Sequence, residues 1–597
     1  MPKYYNRIKT SWGVAIEMNI SYLGKYIKKY KKQFLIALTF IILETTGDLI
    51  QPTIMSKIID NGVKRGDMNY VFKLGGLMFF MTALGATFAV IRNIVSSKVS
   101  QSFGADLRED LYIKIQGFSF DNIDGFQDAS LITRLTNDVN QIQNFSHGMM
   151  RIFVKAPVLG IGSVIMAFLL NPKMALILLG VVPIVVTIIS LNLKVSYPIF
   201  TKIQKSLDRV NGVMREYLAG IRVVKAFNRF EYEKIRFRKV NDDLKDITLK
   251  GMRVVAVFNP VVTLVVNIGI VLVLWFGGLR VNSGQMEVGK IMAFVNYMTQ
   301  VLFSLIMMTR ILNIFIRARA SAERIGEVFE AENTITVKEN PIIFNNVKGR
   351  LEFENVYFKY YSSSRYVLED INFFINPGET LAIIGSTGSG KSTLINLIPR
   401  FYDVDKGKIK IDGMDVKDID ISDLREKVGI VPQKVLLFTG TIKDNIRWGD
   451  ENATIEDIEK VAKIANAHDF ILSFNEGYNT YLGQGGVNLS GGQKQRISIA
   501  RALIKKPSIL ILDDSTSAVD LITERKIRQG LKEYLKDTTT ILIAQRITSV
   551  MDADKILVLD RGKIVGQGAH QELMRNCEVY KDIYYSQLGK GAEDFGS

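Results

Sequence analysis

Residues 381–393 read Leu-Ala-Ile-Ile-Gly-Ser-Thr-Gly-Ser-Gly-Lys-Ser-Thr, an apolar run followed directly by a glycine-rich loop. The loop fits the pattern G-x-x-x-x-G-K-[ST], which stands between a strand and a helix in phosphate-binding domains. Glycines let backbone N–H groups approach phosphate oxygens, and the helix N-terminus adds positive potential. The predicted phosphate-binding residues are Gly385, Ser386, Thr387, Gly388, Ser389, Gly390, Lys391, Ser392 and Thr393.

A second apolar run, residues 508–512, ends in Asp513 and Asp514. A buried strand that ends in a carboxylate can present it to Mg²⁺ at the carboxyl edge of a sheet. The alternative is a core strand followed by a helix-capping aspartate. With the phosphate loop upstream, we expect Asp513 and Ser392 to hold Mg²⁺ and Lys391 to reach the β- and γ-phosphates.

Upstream of this α/β part, the first 330 residues contain six apolar stretches, each near the length of about 20 residues that a bilayer requires. They lie at roughly 34–54, 72–92, 152–170, 174–193, 254–276 and 289–309. Lysines 25, 28, 29, 31 and 32 precede the first stretch and predict a cytoplasmic N-terminus. The long polar segments 93–151 and 194–253 then both lie inside, and their apolar spacing predicts helices that continue beyond the membrane.

The overall composition agrees with a chain made of two different parts, one strongly apolar and one of ordinary polarity. The chain is 47% hydrophobic and 23% charged, and its formal net charge is +16. A basic balance can indicate nucleic acid or an anionic membrane surface. Nothing interleaves aromatic and basic residues as a nucleic-acid groove does, so we expect no nucleic-acid partner. The predicted division is a transmembrane domain at 1–330, a linker at 331–348, a nucleotide-binding domain at 349–585 and a tail at 586–597.

Between the phosphate loop and the carboxylate strand lies Leu489-Ser490-Gly491-Gly492-Gln493. This LSGGQ sequence, in that position, resembles the ABC ATPase family, so the expected cofactors are ATP and Mg²⁺. The resemblance implies that Tyr360 stacks on adenine and that Gln433 joins Mg²⁺ and the catalytic site to the membrane domain. It also implies that Asp520, in Ser-Ala-Val-Asp, crosses a dimer interface.

The membrane half resembles the exporter branch of that family. Thr133-Arg-Leu-Thr-Asn-Asp138 lies in the first long segment, and Glu216 with Gly220-Ile-Arg-Val-Val-Lys225 lies in the second. The resemblance covers nearly the whole chain and is closest in kind to bacterial heterodimeric multidrug exporters. It implies a multi-pass protein of the cytoplasmic membrane, with its nucleotide-binding domain in the cytoplasm, that exports lipophilic or amphipathic compounds by using ATP.

The resemblance also implies a second half-transporter as partner. In the family, each ATP lies between one domain's phosphate loop and the other domain's LSGGQ. One chain with one such domain must therefore dimerise to close a site. The predicted signature contacts are Ser490, Gly491, Gly492 and Gln493.

Two positions depart from the family pattern. Asp514 stands where the family has a catalytic glutamate, and Gln545 stands where it has a histidine. A base pulled back by a bond length slows proton transfer, and glutamine cannot titrate near neutral pH. With Gln433 as the third catalytic candidate, we predict a slow site within a heterodimer whose partner hydrolyses ATP. The alternatives are a slow homodimer that exports drugs or lipids, an ATP-gated protein that does not pump, and a soluble ABC protein, against which the six spans argue.

Polar residues inside the spans are the candidates for substrate contact. Glu44 and Asp48 lie four residues apart on one helix face, and buried charge in a bilayer usually faces a cavity or a partner. The alternative is a hydrogen-bonded helix pair or a gate at the outer mouth. Asn296 and Gln300 share the sixth span with Met292, Met298, Met307 and Met308, which could adapt to varied apolar ligands or simply pack.

Overall fold

The computed structural model describes residues 21–336, 338, 340–344, 347–360 and 363–588. The chain forms two compact units. The first unit runs to Ile115 and resumes at Ala129–Glu330, and the second combines Gln116–Asp128 with the chain from Ala331 onward. The boundary after Glu330 coincides with the predicted end of the transmembrane domain, whereas the short segment Gln116–Asp128 lies in the other unit.

Long helices make up the first unit. A bilayer offers no water to backbone polar groups, so apolar segments of this length satisfy their N–H and C=O groups within a helix. The bounds, with the short α3 of the second unit included to keep chain order, are α1 Ser21–Lys57, α2 Met68–Gln116, α3 Phe120–Phe126, α4 Asp128–Thr133, α5 Val139–Gly148, α6 Lys155–Leu170, α7 Pro172–Ala219, α8 Ile221–Ala226, α9 Phe230–Asn282 and α10 Val288–Glu330. π-Helical turns at Ile58–Val63, Arg134–Asp138 and Met149–Phe153 join neighbouring helices.

Among the described residues, six helices are long and apolar enough to cross a membrane, as the sequence predicts. They are Tyr22–Val63, Met68–Gln116, Asp128–Leu170, Pro172–Ala219, Phe230–Asn282 and Val288–Glu330. The predicted continuation of helices beyond the bilayer is also confirmed. The 53 residues of α9 span about 80 Å at 1.5 Å per residue, well over twice the hydrocarbon thickness.

Pro52 lies inside α1 and interrupts its hydrogen-bond ladder. Because proline has no N–H, the carbonyl of Asp48, four residues earlier, loses its helical donor. Gln300 of α10 donates its Nε2–H to that carbonyl at 3.0 Å, and the hydroxyl of the buried Tyr297 donates to Leu49 O at 2.8 Å. The sixth span therefore satisfies the backbone at the proline of the first span.

Four charged side chains from three spans form one cluster, which we call the charge quartet. Glu44 of α1 accepts from Arg92 Nε of α2 at 2.8 Å and from Lys155 Nζ of α6 at 2.7 Å. Lys155 also pairs with Asp48 at 3.0 Å. Glu44 and Arg92 are buried, and the four formal charges cancel, so this cluster ties the first three spans together.

Neutralising one member of the charge quartet should destabilise the first unit. Glu44→Gln leaves Arg92 buried beside an uncharged group, and breaking a buried pair in this way costs about 3 kcal/mol or more. We expect a clearly lower melting temperature in lipid nanodiscs. The double variant Glu44→Gln/Arg92→Gln retains the Lys155–Asp48 pair and should lose less than the single variant.

The matched control for that experiment is Thr39→Val, since the exposed Thr39 hydroxyl bonds only to Leu35 O of its own helix. It should melt close to the unchanged protein. A double variant that melts below Glu44→Gln would show that the two charges do not act as a pair.

The second unit is built on sheets. The strands are β1 Leu351–Phe358, β2 Leu368–Ile375, β3 Thr380–Gly385, β4 Lys406–Ile411, β5 Met414–Asp415, β6 Val428–Val431, β7 Gly440–Thr441, β8 Tyr481–Leu482, β9 Ile509–Asp513, β10 Thr539–Ile543, β11 Lys555–Asp560 and β12 Lys563–Gly568. The helices are α11 Lys391–Leu397, α12 Ile421–Lys427, α13 Ile442–Arg447, α14 Ile455–Ile464, α15 His468–Leu472, α16 Gly491–Ile504, α17 Leu521–Tyr534, α18 His570–Asn576 and α19 Glu578–Leu588. Short 3₁₀ turns lie at Gly477–Asn479, Gln484–Gly486 and Ile547–Ser549.

The main sheet has the order β12-β11-β3-β10-β9-β6. Strands β11, β3, β10, β9 and β6 are parallel to one another, and β12 is antiparallel to β11. The residues of the five parallel strands are mostly buried, as expected for strands covered on both faces, whereas those of β12 are exposed or half-buried. Parallel strands end at one edge, so the loops after β3, β6, β9 and β10 converge there.

The segment Gln116–Asp128 packs within the second unit. The ring of Phe120 in α3 packs against that of Phe401 with centroids 4.6 Å apart and a tilt of 40°, and Tyr402 donates its hydroxyl to Asp124 at 3.0 Å. Asn333 accepts from Ser119 N at 3.1 Å and donates to Gly117 O at 2.7 Å. The predicted boundary between domain and tail at 585 lies inside α19, which continues to Leu588.

Candidate functional site

The phosphate loop, the carboxylates and the glutamines meet in one cleft of about 810 Å³ at the carboxyl edge of the main sheet. Each element arrives there because its strand ends there: the loop after β3, Asp513 on β9, Gln545 after β10 and Gln433 after β6. The sequence-predicted residues that line the cleft are Gly385, Ser386, Thr387, Gly388, Gly390, Lys391, Ser392, Thr393, Gln433, Asp513, Asp514 and Gln545.

The glycine-rich loop has the shape of a phosphate cradle. Gly390 has φ +101° and caps α11, and a Cβ there would lie 2.8 Å from Leu368 Cδ2. A left-handed backbone in so little space requires glycine. Lys391 Nζ donates to the carbonyls of Gly385 and Ser386 at 2.9 and 2.8 Å, so its ammonium group lies over the loop. Burial lowers the pKa of Lys391, and an anionic phosphate would favour the charged form.

Ser392 and Asp513 form the pair expected of a magnesium site. Burial raises the pKa of the Asp513 carboxyl, and the nearby Ser392 side chain partly opposes that rise. The hydroxyl of the buried Ser389 has no hydrogen-bond partner in the described structure. A hydroxyl beside a buried carboxylate offers the oxygen ligands that Mg²⁺ prefers, and the ion would neutralise phosphate charge there. These residues therefore fit MgATP.

Asp514 is held by both glutamines that the sequence offers as catalytic candidates. Gln545 donates its Nε2–H to Asp514 Oδ2 at 2.9 Å, and Gln433 donates to the same oxygen at 3.4 Å. The backbone of Asp514 has φ +48°, a left-handed conformation that aspartate adopts more readily than most residues. Burial raises the pKa of Asp514. We call these three side chains the amide–carboxylate triad.

Residues 545–549, here called the switch segment, are fixed by groups that the motifs do not reveal. Glu524 of α17 is buried and accepts from Ser549 Oγ at 2.7 Å and from Arg546 at 3.5 Å. Gln587 of α19 bonds to the backbone at Gln545 and Ile547. Sequence reasoning missed both anchors because neither belongs to a motif and Gln587 fell in the predicted tail.

Tyr360 and Asp520 do not line the cleft among the described residues. The Tyr360 hydroxyl hydrogen-bonds to Thr393 Oγ1 at 3.0 Å, and its ring packs edge-on against Phe358 and Tyr402. Asp520 caps α17 by accepting from Thr523 N at 2.9 Å, which lowers the pKa of its carboxyl. Tyr360 is thus joined to the phosphate loop, whereas Asp520 stands at a helix start.

The LSGGQ residues open α16 and also lie apart from the residues that line this chain's cleft. Ser490 and Gln493 form a capping box: Ser490 Oγ accepts from Gln493 N at 3.3 Å, and Gln493 Oε1 accepts from Ser490 N at 2.9 Å. A Cβ on Gly492 would lie 2.8 Å from Ala518 O, and one on Gly491 would touch the Ala518 side chain. The signature is therefore an ordered helix start packed on residue 518.

The four candidate substrate residues differ in their surroundings. Glu44 is neutralised in the charge quartet, and Gln300 also accepts from Ser163 Oγ at 2.9 Å in addition to its bond at the Pro52 kink. Asp48 keeps 38% of its side chain exposed, and the exposed Asn296 bonds only within its own helix, to Met292 O. Of the methionines on this span, Met298 is buried, while Met292 and Met308 are exposed.

Comparison with known proteins divides the chain into a transmembrane part and an ATPase part. Residues 34–305 match the family of the ABC transporter transmembrane region, and residues 368–517 match the ABC transporter family. The chain is 43% identical over 565 residues to the uncharacterized ABC transporter ATP-binding protein YfiB of Bacillus subtilis (strain 168), covering 95% of this chain and 98% of the relative. It is 34% identical over 579 residues to the putative multidrug export ATP-binding/permease protein YgaD of the same organism, covering 94% and 98%.

A solved structure gives the same picture. A bacterial Atm1-family ABC exporter with ATP bound matches with a TM-score of 0.79 and 26% identity, covering 94% of this chain and 99% of that chain. The prediction of ATP and Mg²⁺ is confirmed, and so is a multi-pass membrane protein with a cytoplasmic ATPase domain. ABC exporters act as dimers in the lipid bilayer and couple ATP hydrolysis to transport. The chain therefore belongs to the ABC transporter family, as an exporter-type half-transporter.

Proposed function

We propose that this half-transporter works in a heterodimer, where its own ATP site binds nucleotide but hydrolyses it slowly and its LSGGQ completes the partner's active site. The single observation that carries the proposal is the amide–carboxylate triad. Both departures from the family pattern, Asp514 and Gln545, are joined by a 2.9 Å hydrogen bond. The two departures from the family pattern thus meet at one contact.

The triad is poorly suited to activating water. A general base must reach the proton that it removes, and Asp514 has a side chain one methylene shorter than glutamate. Its Oδ2 already accepts from the amides of Gln545 and Gln433. Although burial raises the pKa of Asp514, both amides occupy the carboxylate oxygen that would have to reach the water, and glutamine cannot take up a proton near neutral pH. The same donors can still contact a γ-phosphate, which supports a site that retains ATP.

The signature supports the other half of the proposal. Ser490 and Gln493 satisfy each other's backbone N–H groups, and both glycines keep the close approach to residue 518. The helix start is therefore preorganised, with positive potential toward an anion. This arrangement is undamaged, although the hydrolytic positions of the same chain are altered. A homodimer would combine two altered sites and no complete one.

The test is to compare the chain alone with the chain co-expressed with a half-transporter that carries the glutamate and the histidine. We expect slow ATP hydrolysis by the chain alone in nanodiscs and much faster hydrolysis by the pair. The activity gained on pairing should disappear in Ser490→Arg, because that side chain fills the partner's phosphate site. A general base contributes roughly 10²–10⁴-fold, so the difference should exceed tenfold.

The control variant is Ser473→Ala, whose exposed hydroxyl bonds only to Phe470 O. It should leave the activity of the pair unchanged. Brisk hydrolysis by this chain alone would overturn the heterodimer proposal in favour of a working homodimer. Full activity of Ser490→Arg in the pair would show that this signature does not serve the partner.

We further propose amphipathic compounds as the exported class. The relative YgaD, a putative multidrug export ATP-binding/permease protein, supports this class. Of the candidate residues, Asp48 and Asn296 have exposed side chains on the first and sixth spans, and Met292, one turn before Asn296, is exposed on the sixth, as is Met308 further along it. A partly exposed carboxylate with flexible thioethers suits cationic, apolar molecules. ATP-dependent uptake into inside-out vesicles, which a gated protein that does not pump would not give, tests the class.

A further inference from the structure

We propose that Gln587, near the end of the C-terminal helix α19, is a positioning residue that fixes the backbone of the switch segment so that Gln545 faces Asp514. The inference rests on the role proposed above for Gln545. Five residues of α19 line the nucleotide cleft, Gln587 among them. The C-terminal helix is thus part of the site.

The side-chain amide of Gln587 hydrogen-bonds to the backbone as a peptide group of a neighbouring strand would. Its Oε1 accepts from Ile547 N at 2.7 Å, and its Nε2 donates to Gln545 O at 2.8 Å. Ile547 opens the short 3₁₀ turn Ile547–Ser549, and the first N–H groups of a helix have no partner within it. One side-chain amide therefore satisfies two backbone groups that flank Arg546.

A second residue, Glu524 of α17, also holds the switch segment. The buried carboxylate of Glu524 accepts from Ser549 Oγ and lies 3.5 Å from Arg546 NH1. Arg528 NH2 donates to the same carboxylate at 2.6 Å and keeps it in place. Glu524 thus fixes the side chain of Arg546, whereas Gln587 fixes the backbone on both sides of it. With the backbone held in this way, the Gln545 side chain donates to Asp514 at 2.9 Å.

Helix α19 does not depend on Gln587 for its own position. Tyr580 and Tyr584 are buried in an apolar cluster that includes Ala544 and Ile547. The Tyr580 hydroxyl also lies 2.8 Å from His570 Nδ1. Replacing Gln587 should therefore leave the helix docked and remove only the two bonds to the switch segment.

The experiment measures how long the assembled transporter in nanodiscs retains labelled ATP at the site built on Lys391. We expect Gln587→Leu to shorten retention about fivefold, the scale of losing a neutral hydrogen-bonded contact. Gln587→Glu can still accept from Ile547 N but cannot donate to Gln545 O, so its effect should be intermediate. In a double-mutant cycle, Gln587→Leu should add nothing to Gln545→Ala, because both act through the same side chain.

The matched control on the same helix is Glu578→Gln, which replaces an exposed side chain by one of equal size, at a position that does not line the cleft among the described residues. It should retain ATP as the unchanged protein does. Additive effects of Gln587→Leu and Gln545→Ala would overturn the inference, as would normal retention in both Gln587 variants. If Gln545→Ala itself retains ATP normally, the proposed role of Gln545 fails, and that outcome is distinguishable from failure at Gln587 alone.

Discussion

Lys391→Ala should weaken MgATP binding by about 100-fold, which corresponds to about 2.7 kcal/mol. The ammonium group lies over the phosphate loop and, at neutral pH, is the cation that reaches the β- and γ-phosphates. Removing one partner of a partly buried charge pair costs 2 kcal/mol or more because the other charge is left uncompensated. The measurement is a calorimetric titration of MgATP into the full chain in nanodiscs.

Lys555→Ala is the control for that loss. The Lys555 ammonium also donates to a backbone carbonyl, Phe374 O at 2.9 Å, and burial likewise lowers its pKa. It does not line the cleft among the described residues, so MgATP affinity should stay unchanged. If Lys391→Ala binds MgATP as tightly as the unchanged protein, the assignment of the phosphate site is wrong.

The double variant Asp514→Glu/Gln545→His should raise single-turnover ATP hydrolysis at this site by at least about tenfold, within the 10²–10⁴-fold range of a general base. The longer carboxylate reaches toward the attacking water, and the imidazole can carry a proton near neutral pH. Aspartate suits the φ of +48° at position 514 better than glutamate, so part of the gain is offset by backbone strain. The assay is one round of hydrolysis in the assembled transporter.

The control variant Asp514→Asn distinguishes an effect of the carboxylate as general base from an effect of side-chain shape. It keeps the size of the side chain and removes the carboxylate, so hydrolysis should not rise. Asp514→Glu alone should give part of the increase, because the base is restored while the glutamine remains. No increase in the double variant would contradict the idea that these two positions limit turnover.

The fold was largely predictable because its signals are strong and local. Six apolar stretches of bilayer length and the loop at residues 381–393 are each sufficient to define an element. Parallel strands then place Asp513, Gln433 and Gln545 at one edge without further information. By contrast, the packing of residues 116–128 into the second unit depends on rings such as Phe120 and Phe401, which are far apart in sequence.

The site shows the same division between local and distant information. Motif spacing predicted the phosphate loop, yet nothing in the sequence could show that Asp514 and Gln545 are bonded to each other. Gln587 was missed because an exposed polar residue near a chain end carries no periodic or motif signal. Glu44 is the opposite case: its charge was noticed, but its pairing with Arg92 and Lys155 required three helices to be placed together.

The proline of the first span has an evolutionary consequence. A relative with an ordinary residue at position 52 would supply the missing N–H itself, and the amide at position 300 would then have no orphan carbonyl to satisfy. Selection for a donor at position 300 should relax as soon as the proline disappears, although an oxygen there would still accept from Ser163. Positions 52 and 300 should consequently covary across descendants of this lineage, although they belong to helices encoded almost 250 codons apart.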